Sequence, residues 1–261
     1  MTKNFPPAAR IFAAALIALG IFCVNSFRNS DYAANALDNT LHGYGQGRQV
    51  DDKNCPTGAL DFNSEFSAYN AYAKTDSPNI ILTFDQGYEN GYTEKILDTL
   101  KEKNVKAVFF LTGDYAERCG DLVRRMIDEG HIIGNHGMRH ASLPKLSEEK
   151  MREEIMSLHD YVKETYGYEM KYFRPPCGEY SEKALSVVND CGYTTLLWSF
   201  AYCDWDVNAQ PEKSESLKRV TEAAHEGAIY LLHSVSETNC AILPEAIDAM
   251  RAAGFEFGLP E

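Results

Sequence analysis

Two histidines four residues apart are the first candidates for chemistry in this sequence. His136 and His140 follow the apolar run at 131–134. In a helical turn, side chains four residues apart project from the same side, and two imidazoles so placed suit neighbouring positions on a divalent metal. Pairs of surface histidines on a helix have the same spacing. Because a second reactive residue, Asp85, ends another apolar run, we predict a metal site here, with zinc as the expected ion.

Asp85 and its neighbour Gln86 are candidates for two further functions in a metal-assisted hydrolysis. A carboxylate beside the metal can take the proton of a water molecule as that water attacks a carbonyl, so Asp85 is the predicted base. Gln86 is the adjacent candidate for a third ligand. Its neutral amide oxygen suits zinc less well than a carboxylate does, so we expect His136, His140 and Gln86 to bind the metal weakly.

Three further polar residues complete the predicted hydrolytic site. Arg174 could orient the Asp85 carboxylate through a bidentate pair, although a purely structural ion pair would make the same contact. His233 ends the apolar run at 229–232. It could protonate a leaving amine, or it could be a core histidine whose hydrogen bonds are satisfied. Asp204 is the expected partner of His233, since a nearby carboxylate favours the imidazolium form.

Short β-branched and aromatic runs alternate with amphipathic stretches from residue 78 onward, which is the pattern of a β/α protein. The runs predict strands at 79–84, 107–111, 131–134, 171–173, 194–198, 228–232 and 255–257. The stretches predict helices at 93–103, 116–129, 147–166, 181–189, 214–225 and 243–253. A helix after nearly every strand predicts parallel β/α units in a barrel or an open sheet. In such folds the working residues gather where strands run out into loops, which is where the candidates above lie.

The N-terminus has the composition of an export signal. Residues 1–30 contain three basic residues and no acidic one, and residues 11–24 are uncharged and mainly apolar. We therefore predict a signal peptide or N-terminal membrane anchor at 1–36, a linker and N-terminal extension at 37–77, and the catalytic domain at 78–261. The expected location is outside the cytoplasm, either secreted or anchored to the membrane.

The charge balance excludes one class of partner. Lys and Arg number 25 against 38 Asp and Glu, which gives a net charge of −13. Such a surface repels phosphate backbones, and no basic stripe compensates, so nucleic acid is not an expected partner. Nothing in the sequence indicates a protein partner. Six cysteines follow residue 36 without a CxxC spacing, so we predict neither a zinc ribbon nor a particular disulfide pairing.

Five motifs in order along the chain resemble those of the NodB-type polysaccharide deacetylase family. The motif Thr-Phe-Asp-Asp-Gly of that family is matched by residues 83–87, with Gln86 at the ligand position. Its metal motif His-x-x-x-His falls on His136 and His140. The remaining three motifs, Arg-Pro, Asp-Trp and Leu-x-His, fall on Arg174 to Pro176, Asp204 and Trp205, and Leu231 and His233. The resemblance implies a distorted (β/α) barrel of about seven parallel strands and metal-assisted N-deacetylation of amino sugars.

Within that family, residues 69–72, 84–93 and 232–236 resemble the branch that makes muramic δ-lactam in spore cortex. The resemblance implies that peptidoglycan glycan strands are the substrate and that N-acetylmuramic acid loses its acetyl group. The residues expected to bind the sugar are Tyr88, Pro176, Cys177, Gly178 and Trp205. Cys177 stands where the branch often carries Arg, so a cation available to a muramyl carboxylate is missing.

Two alternatives use the same residues differently. A deacetylase of N-acetylglucosamine in peptidoglycan or chitin, or of O-acetyl xylan, would share the machinery. A glycan-binding pseudoenzyme would retain the pocket while Gln86 marks a lost metal. The predicted base and acid, Asp85 and His233, argue against a pseudoenzyme, because a binding pocket needs neither. A retaining glycosidase would leave the histidine pair without a role.

Overall fold

The structure, a computed structural model, describes residues 37–260. The predicted export segment at 1–36 lies outside these residues. In the part of the chain that the structure describes, no helix combines the length and the apolar character needed to cross a membrane.

A curled sheet of seven parallel strands forms the centre of the described chain. In spatial order the strands are β2 (Ala71–Tyr72), β8 (Thr194–Leu196), β6 (Tyr172–Phe173), β5 (Ile132–Asn135), β4 (Ala107–Leu111), β3 (Ile81–Gln86) and β9 (Ile229–His233). A separate antiparallel pair joins β1 (His42–Gly43) to β7 (Glu179–Tyr180). The predicted distorted barrel of about seven parallel strands is therefore confirmed.

The two ends of the sheet approach each other just beyond β8. Ser199 N donates to Ile229 O at 2.9 Å, and Leu231 N donates to Phe200 O at 2.8 Å. These bonds connect the continuation of β8 to β9 and curl the sheet into a half-barrel. The curling brings the carboxyl ends of distant strands together at one end of the half-barrel, which we call the mouth.

Helices connect the strands and cover the sheet. They are α1 (Thr57–Phe66), α2 (Thr93–Glu102), α3 (Gly113–Arg118), α4 (Gly120–Asp128), α5 (Glu148–Tyr166), α6 (Glu182–Asp190), α7 (Lys213–Glu222) and α8 (Glu237–Ala252). Serine side chains cap several of them, as where Ser181 Oγ accepts from Ala184 N at 3.0 Å. Strands β3 and β4 are buried along their whole length, which makes them a rigid base for the residues at their ends.

The prediction of a strand at 255–257 was wrong. Phe257 makes a single bridge, to Ile80. From Ile81 onward both edges of β3 are already bonded, to β4 and β9, so no edge is left for another strand. The seventh strand is instead β2, whose two residues are too few to show an alternating pattern. The sheet therefore begins before residue 78, the boundary that we predicted for the catalytic domain.

Two predicted helices also differ from those observed. The helix at 116–129 is divided into α3 and α4, because Cys119 leaves helical geometry with φ −113° and ψ 38°. The helix at 243–253 begins earlier, at Glu237, where Ser236 caps it. Proline costs no hydrogen bond only in the first turn of a helix. The buried face of α8 keeps the helix continuous through this proline, which lies in its interior.

The predicted extension at 37–77 is ordered and packed onto the sheet. Its helix α1 buries Ala59, Phe62 and Phe66. Tyr44 packs edge-on against Phe62 and Trp198, with ring centroids 5.2 Å apart in both pairs. The extension thus reaches the mouth of the half-barrel.

Candidate active site

Four strand ends bring four of the predicted catalytic and metal residues to one mouth. Asp85 in β3 lies directly opposite His233 in β9. His136 follows β5, and Arg174 follows β6, two neighbouring strands of the same sheet. Because the strands are parallel, their carboxyl ends point the same way and their side chains converge.

Arg174 and Asp85 form a buried ion pair joined by one hydrogen bond, so the predicted bidentate pair was wrong. Arg174 Nη1 donates to Asp85 Oδ1 at 2.8 Å and to Thr83 Oγ1 at 2.6 Å. The rest of the guanidinium donates to the carbonyls of Leu196 and Leu197, both at 3.0 Å. Burial by itself would raise the pKa of Asp85, but the charge and hydrogen bond of Arg174, together with the charges of His136 and His233, outweigh burial and hold that pKa below its ordinary value. Asp85 is therefore an ionised carboxylate, and its Oδ2 is turned away from Arg174 towards His136.

The two histidines face each other through their Nε2 atoms, which are 3.2 Å apart. His136 Nδ1 lies 2.8 Å from the Arg174 carbonyl oxygen, which can only accept a hydrogen bond. The proton of neutral His136 is therefore on Nδ1, and Nε2 carries a free lone pair. Burial lowers the pKa of His136 to about 4, so the ring is neutral at pH 7.

The Nε2 atoms of His136 and His140 are spaced as two ligands of a divalent cation would be. Two nitrogens bound at about 2.0–2.1 Å to a tetrahedral zinc ion are about 3.3 Å apart, close to the separation of the two Nε2 atoms. Asp85 Oδ2 lies 3.4 Å from the unprotonated His136 Nε2, so two acceptor atoms face each other without a proton between them. A cation between such groups relieves their repulsion. The Arg174 carbonyl fixes the tautomer of His136, as is usual for histidines that bind metals.

The local structure of the histidine pair differs from the helical turn that we predicted. Residues 136–140 form an irregular loop. Gly137 has φ +84° and His140 has φ +56°, so the chain reverses between the two histidines. The rings still meet because this reversal returns His140 to His136. The spacing of four residues correctly predicted that the two histidine rings meet. The predicted helical turn between them was wrong.

Gln86, the predicted third ligand, is fully buried. It follows Asp85 on β3, and successive side chains of a strand leave opposite faces. Its Nε2 donates to Ser234 Oγ at 2.5 Å, and its Oε1 has no hydrogen-bond partner. Within residues 37–260, the two cavities that contain Asp85 and both histidines are not lined by Gln86. The structure therefore brings two of the three predicted ligands into the mouth.

His233 and Asp204 form the second pair of the site. Asp204 Oδ1 lies 2.7 Å from His233 Nδ1, and its Oδ2 accepts from the backbone N–H of His233 at 2.8 Å and from Asn239 Nδ2. Burial by itself would lower the pKa of His233, but the hydrogen bond and charge of Asp204 outweigh it and raise that pKa. Since Nδ1 is engaged by Asp204, Nε2 is the ring nitrogen that can exchange a proton with a ligand.

The mouth opens into a cavity of about 660 Å³, with a neighbouring one of about 370 Å³. Asp85, His136, His140, Trp205 and His233 line both. Cys177 and Gly178 line the larger cavity, and Tyr88 lines the smaller. The fifth predicted sugar-binding residue, Pro176, is buried and lines neither, while its neighbour Pro175 lines the larger one. None of the described residues that line either cavity is a lysine or arginine.

Sequence reasoning missed one wall of the larger cavity. Tyr44 and Gln46 of the extension line it, together with Trp198. Tyr44 OH donates to Trp198 O at 2.6 Å, and Trp198 Nε1 donates to Gln46 Oε1 at 3.0 Å. The extension carries no periodic pattern, so no signal in the sequence connected it to the site.

Comparison with known proteins agrees with this geometry. Residues 72–196, which include Asp85, His136, His140 and Arg174, match the family model described as polysaccharide deacetylase. The chain is 39% identical over 227 residues to peptidoglycan-N-acetylmuramic acid deacetylase PdaA of Bacillus subtilis (strain 168), and the match covers 86% of each chain. The chain belongs to the polysaccharide deacetylase family. The predicted family is thus confirmed.

Solved structures of the family share the fold. The structure of Bacillus subtilis PdaA, a family 4 carbohydrate esterase, superimposes with a TM-score of 0.79 at 38% identity, over 85% of this chain and 95% of that one. A CE4 family pseudoenzyme from Bacillus anthracis matches with a TM-score of 0.67 at 25% identity, over 72% of this chain and 66% of that one. The family fold thus occurs in active and inactive proteins, so activity depends on the residues of the site.

Proposed function

We propose that this protein is a peptidoglycan deacetylase that hydrolyses the acetamide of N-acetylmuramic acid residues in glycan strands. The observation that carries the proposal is the pairing of an ionised base with a protonatable acid across one mouth. Asp85 is held by Arg174, and His233 is held by Asp204. Resemblance to the deacetylase of Bacillus subtilis supports N-acetylmuramic acid as the substrate.

The two proton carriers perform the two halves of an amide hydrolysis. His136 and His140 would hold a divalent cation, with zinc as the expected ion, and the bound cation would supply Lewis-acid polarisation of the acetamide carbonyl. Asp85 Oδ2 takes a proton from the water that attacks the carbonyl carbon. As the carbon–nitrogen bond breaks, His233 Nε2 gives a proton to the nitrogen, because an amine anion is too poor a leaving group to depart by itself. The products are acetate and a free amino sugar.

Peptidoglycan digestion tests this function directly. Purified glycan strands are incubated with the protein, with and without prior removal of the stem peptides, and the muropeptides are identified by mass spectrometry. The expected product is a muramic acid residue lighter by one acetyl group. Deacetylation confined to N-acetylglucosamine, the sugar on which the related Bacillus cereus deacetylase acts, would replace the proposed substrate but keep the reaction.

A pseudoenzyme is the second candidate function, since one relative of this fold is inactive. The buried amide of Gln86, turned to Ser234, favours it. The intact contacts of Asp85 and His233 argue against it, because a pocket that only binds sugar gains nothing from a base and an acid. Glycan binding without acetate release at any metal concentration would establish the pseudoenzyme.

Removing the carboxylate beside His233 should move the alkaline limb of the pH–rate profile. His233 acts in its protonated form, so activity falls as pH rises through the His233 pKa. Asp204 raises that pKa, and Asp204→Asn should lower it, which shifts the alkaline limb of kcat to lower pH. Asp206→Asn is the matched control, because the Asp206 carboxylate accepts from the backbone of Asn208 and has no hydrogen bond with His233. An alkaline limb at the same pH in wild-type protein and in Asp204→Asn would contradict the assignment of His233 as the acid.

We further propose that the protein acts outside the cytoplasm, since its substrate lies there and the composition of residues 1–36 is that of an export signal. A reporter enzyme that works only after export, fused to the C-terminus, should be active. Activity of a cytoplasm-specific reporter in the same fusion would contradict this location.

A further inference from the structure

Glu154 is a buried carboxylate that the mechanism does not use. It lies on α5 with 1% of its surface exposed. The nearest cation is Arg139, whose Nη1 is 3.8 Å from Glu154 Oε2 and whose side chain is 65% exposed. A buried carboxylate is costly unless its oxygens are occupied by hydrogen bonds. The contacts of Glu154 therefore indicate its role.

Glu154 holds the backbone of the loop that carries both histidines. Its Oε1 accepts from the backbone N–H of Arg139 at 2.6 Å and of Ala141 at 3.1 Å, so it is bonded on both sides of His140. Its own carbonyl accepts from Met138 N at 3.0 Å. Asn135 Oδ1 accepts from Gly137 N at 2.8 Å. These bonds account for the amides of residues 137, 138, 139 and 141.

The loop is also shaped around the carboxylate. A Cβ added at Gly137 would lie 2.9 Å from Glu154 Oε1, so a side chain at this position would displace the carboxylate from its present position. His140 has φ +56°, a strained conformation for a residue with a side chain. Such a conformation persists when neighbouring contacts impose it, and the two amides that Glu154 binds flank this residue.

The His140 ring depends on its backbone for its position. His136 is oriented through its Nδ1 by the Arg174 carbonyl. In the described structure the one hydrogen bond of the His140 ring is the contact with His136 Nε2 itself. The orientation of His140 as a ligand therefore comes from the loop, and the loop is held by Glu154.

We propose that Glu154 is the positioning residue that places His140 beside His136 for metal binding. The proposal rests on the proposed function in one respect, the use of the histidine pair as ligands. In this role the length of the Glu154 side chain matters more than its charge, because both of its bonds to the loop go to backbone amides.

Three substitutions separate reach from charge. Glu154→Gln keeps an oxygen at the same distance without the charge. Glu154→Asp keeps the charge but withdraws it from the loop by one methylene, and Glu154→Ala removes the group. Leu158→Ala is the matched control, since it removes a fully buried side chain one turn along α5 that forms no hydrogen bond with the loop. His136→Ala removes one of the two histidines and gives the zinc affinity that remains when the pair is lost.

Zinc affinity, measured by calorimetry without substrate, is the first readout. Glu154→Ala and Glu154→Asp should weaken zinc binding about 10- to 100-fold, the usual range for groups that orient metal ligands. Glu154→Gln should stay within about threefold of wild type, and so should Leu158→Ala although it is less stable. Wild-type affinity in Glu154→Asp would overturn the proposal. If charge mattered more than reach, Glu154→Gln would weaken zinc binding more than Glu154→Asp does. That result would also overturn the proposal.

Amide hydrogen exchange in the metal-free protein is the second readout. The amides of Arg139 and Ala141 should exchange at least about tenfold faster in Glu154→Asp than in Leu158→Ala, because only the first loses their acceptor. Equal exchange would overturn the proposal. If wild-type protein binds no zinc, the proposed metal site fails, while exchange at these two amides still decides the role of Glu154.

Discussion

Asp85→Asn and His233→Ala are each expected to reduce turnover by at least about 10²-fold while glycan binding survives. Each proton-transfer group typically contributes about 10²- to 10⁴-fold in rate. The first substitution keeps an oxygen for Arg174, but the new amide cannot take a proton from water. The second leaves Asp204 in place but removes the group that protonates the leaving nitrogen. Acetate release under saturating glycan measures the effect.

Loss of folding has to be separated from loss of chemistry in these variants. Thermal unfolding and glycan affinity of each variant show whether the site is still assembled. Asp98→Asn is the matched control, because it breaks another Asp–Arg pair, with Arg125, at an exposed position away from the mouth. It should keep full turnover. The two-carrier mechanism fails if either Asp85→Asn or His233→Ala retains more than about a tenth of wild-type turnover.

Arg174→Met is expected to lower the free energy of unfolding by about 3–5 kcal/mol, the usual effect of removing one partner of a buried ion pair. The Asp85 carboxylate would stay buried without its cation, and its pKa would rise because Arg174 is the main group that lowers it. The carbonyls of Leu196 and Leu197 would also lose their donor. Denaturant unfolding at pH 7 measures the change.

Arg152→Met is the control for this stability prediction. Arg152 also bonds two acids, Glu148 and Asp190, but its side chain is 38% exposed, so its loss should cost about 1 kcal/mol or less. The double variant Asp85→Asn with Arg174→Met should recover part of the lost stability, since it buries no unpaired charge. A loss below about 1 kcal/mol in Arg174→Met would show that the pair does not stabilise the mouth.

The fold class and most residues of the mouth could be predicted from the amino-acid sequence. Runs of apolar residues alternating with amphipathic helices require parallel β/α units, and polar residues at the ends of those runs must then share one edge. The positions of these polar residues at the ends of the apolar runs were enough to group Asp85, His136, Arg174 and His233. The spacing of four between His136 and His140 identified the pair, although not its backbone.

The contacts that hold these residues in place could not be predicted from the sequence. Tyr44 reaches Trp198 across 154 residues of chain, and Glu154 binds the histidine loop from a helix that begins after it. The side of β3 taken by Gln86 is set by the pleat, and its partner Ser234 comes from the loop after another strand. Each of these contacts joins two different elements of the chain. Local patterns record the period and polarity of one segment, so they contain no information about which distant backbone amide or side chain will fill its hydrogen bonds.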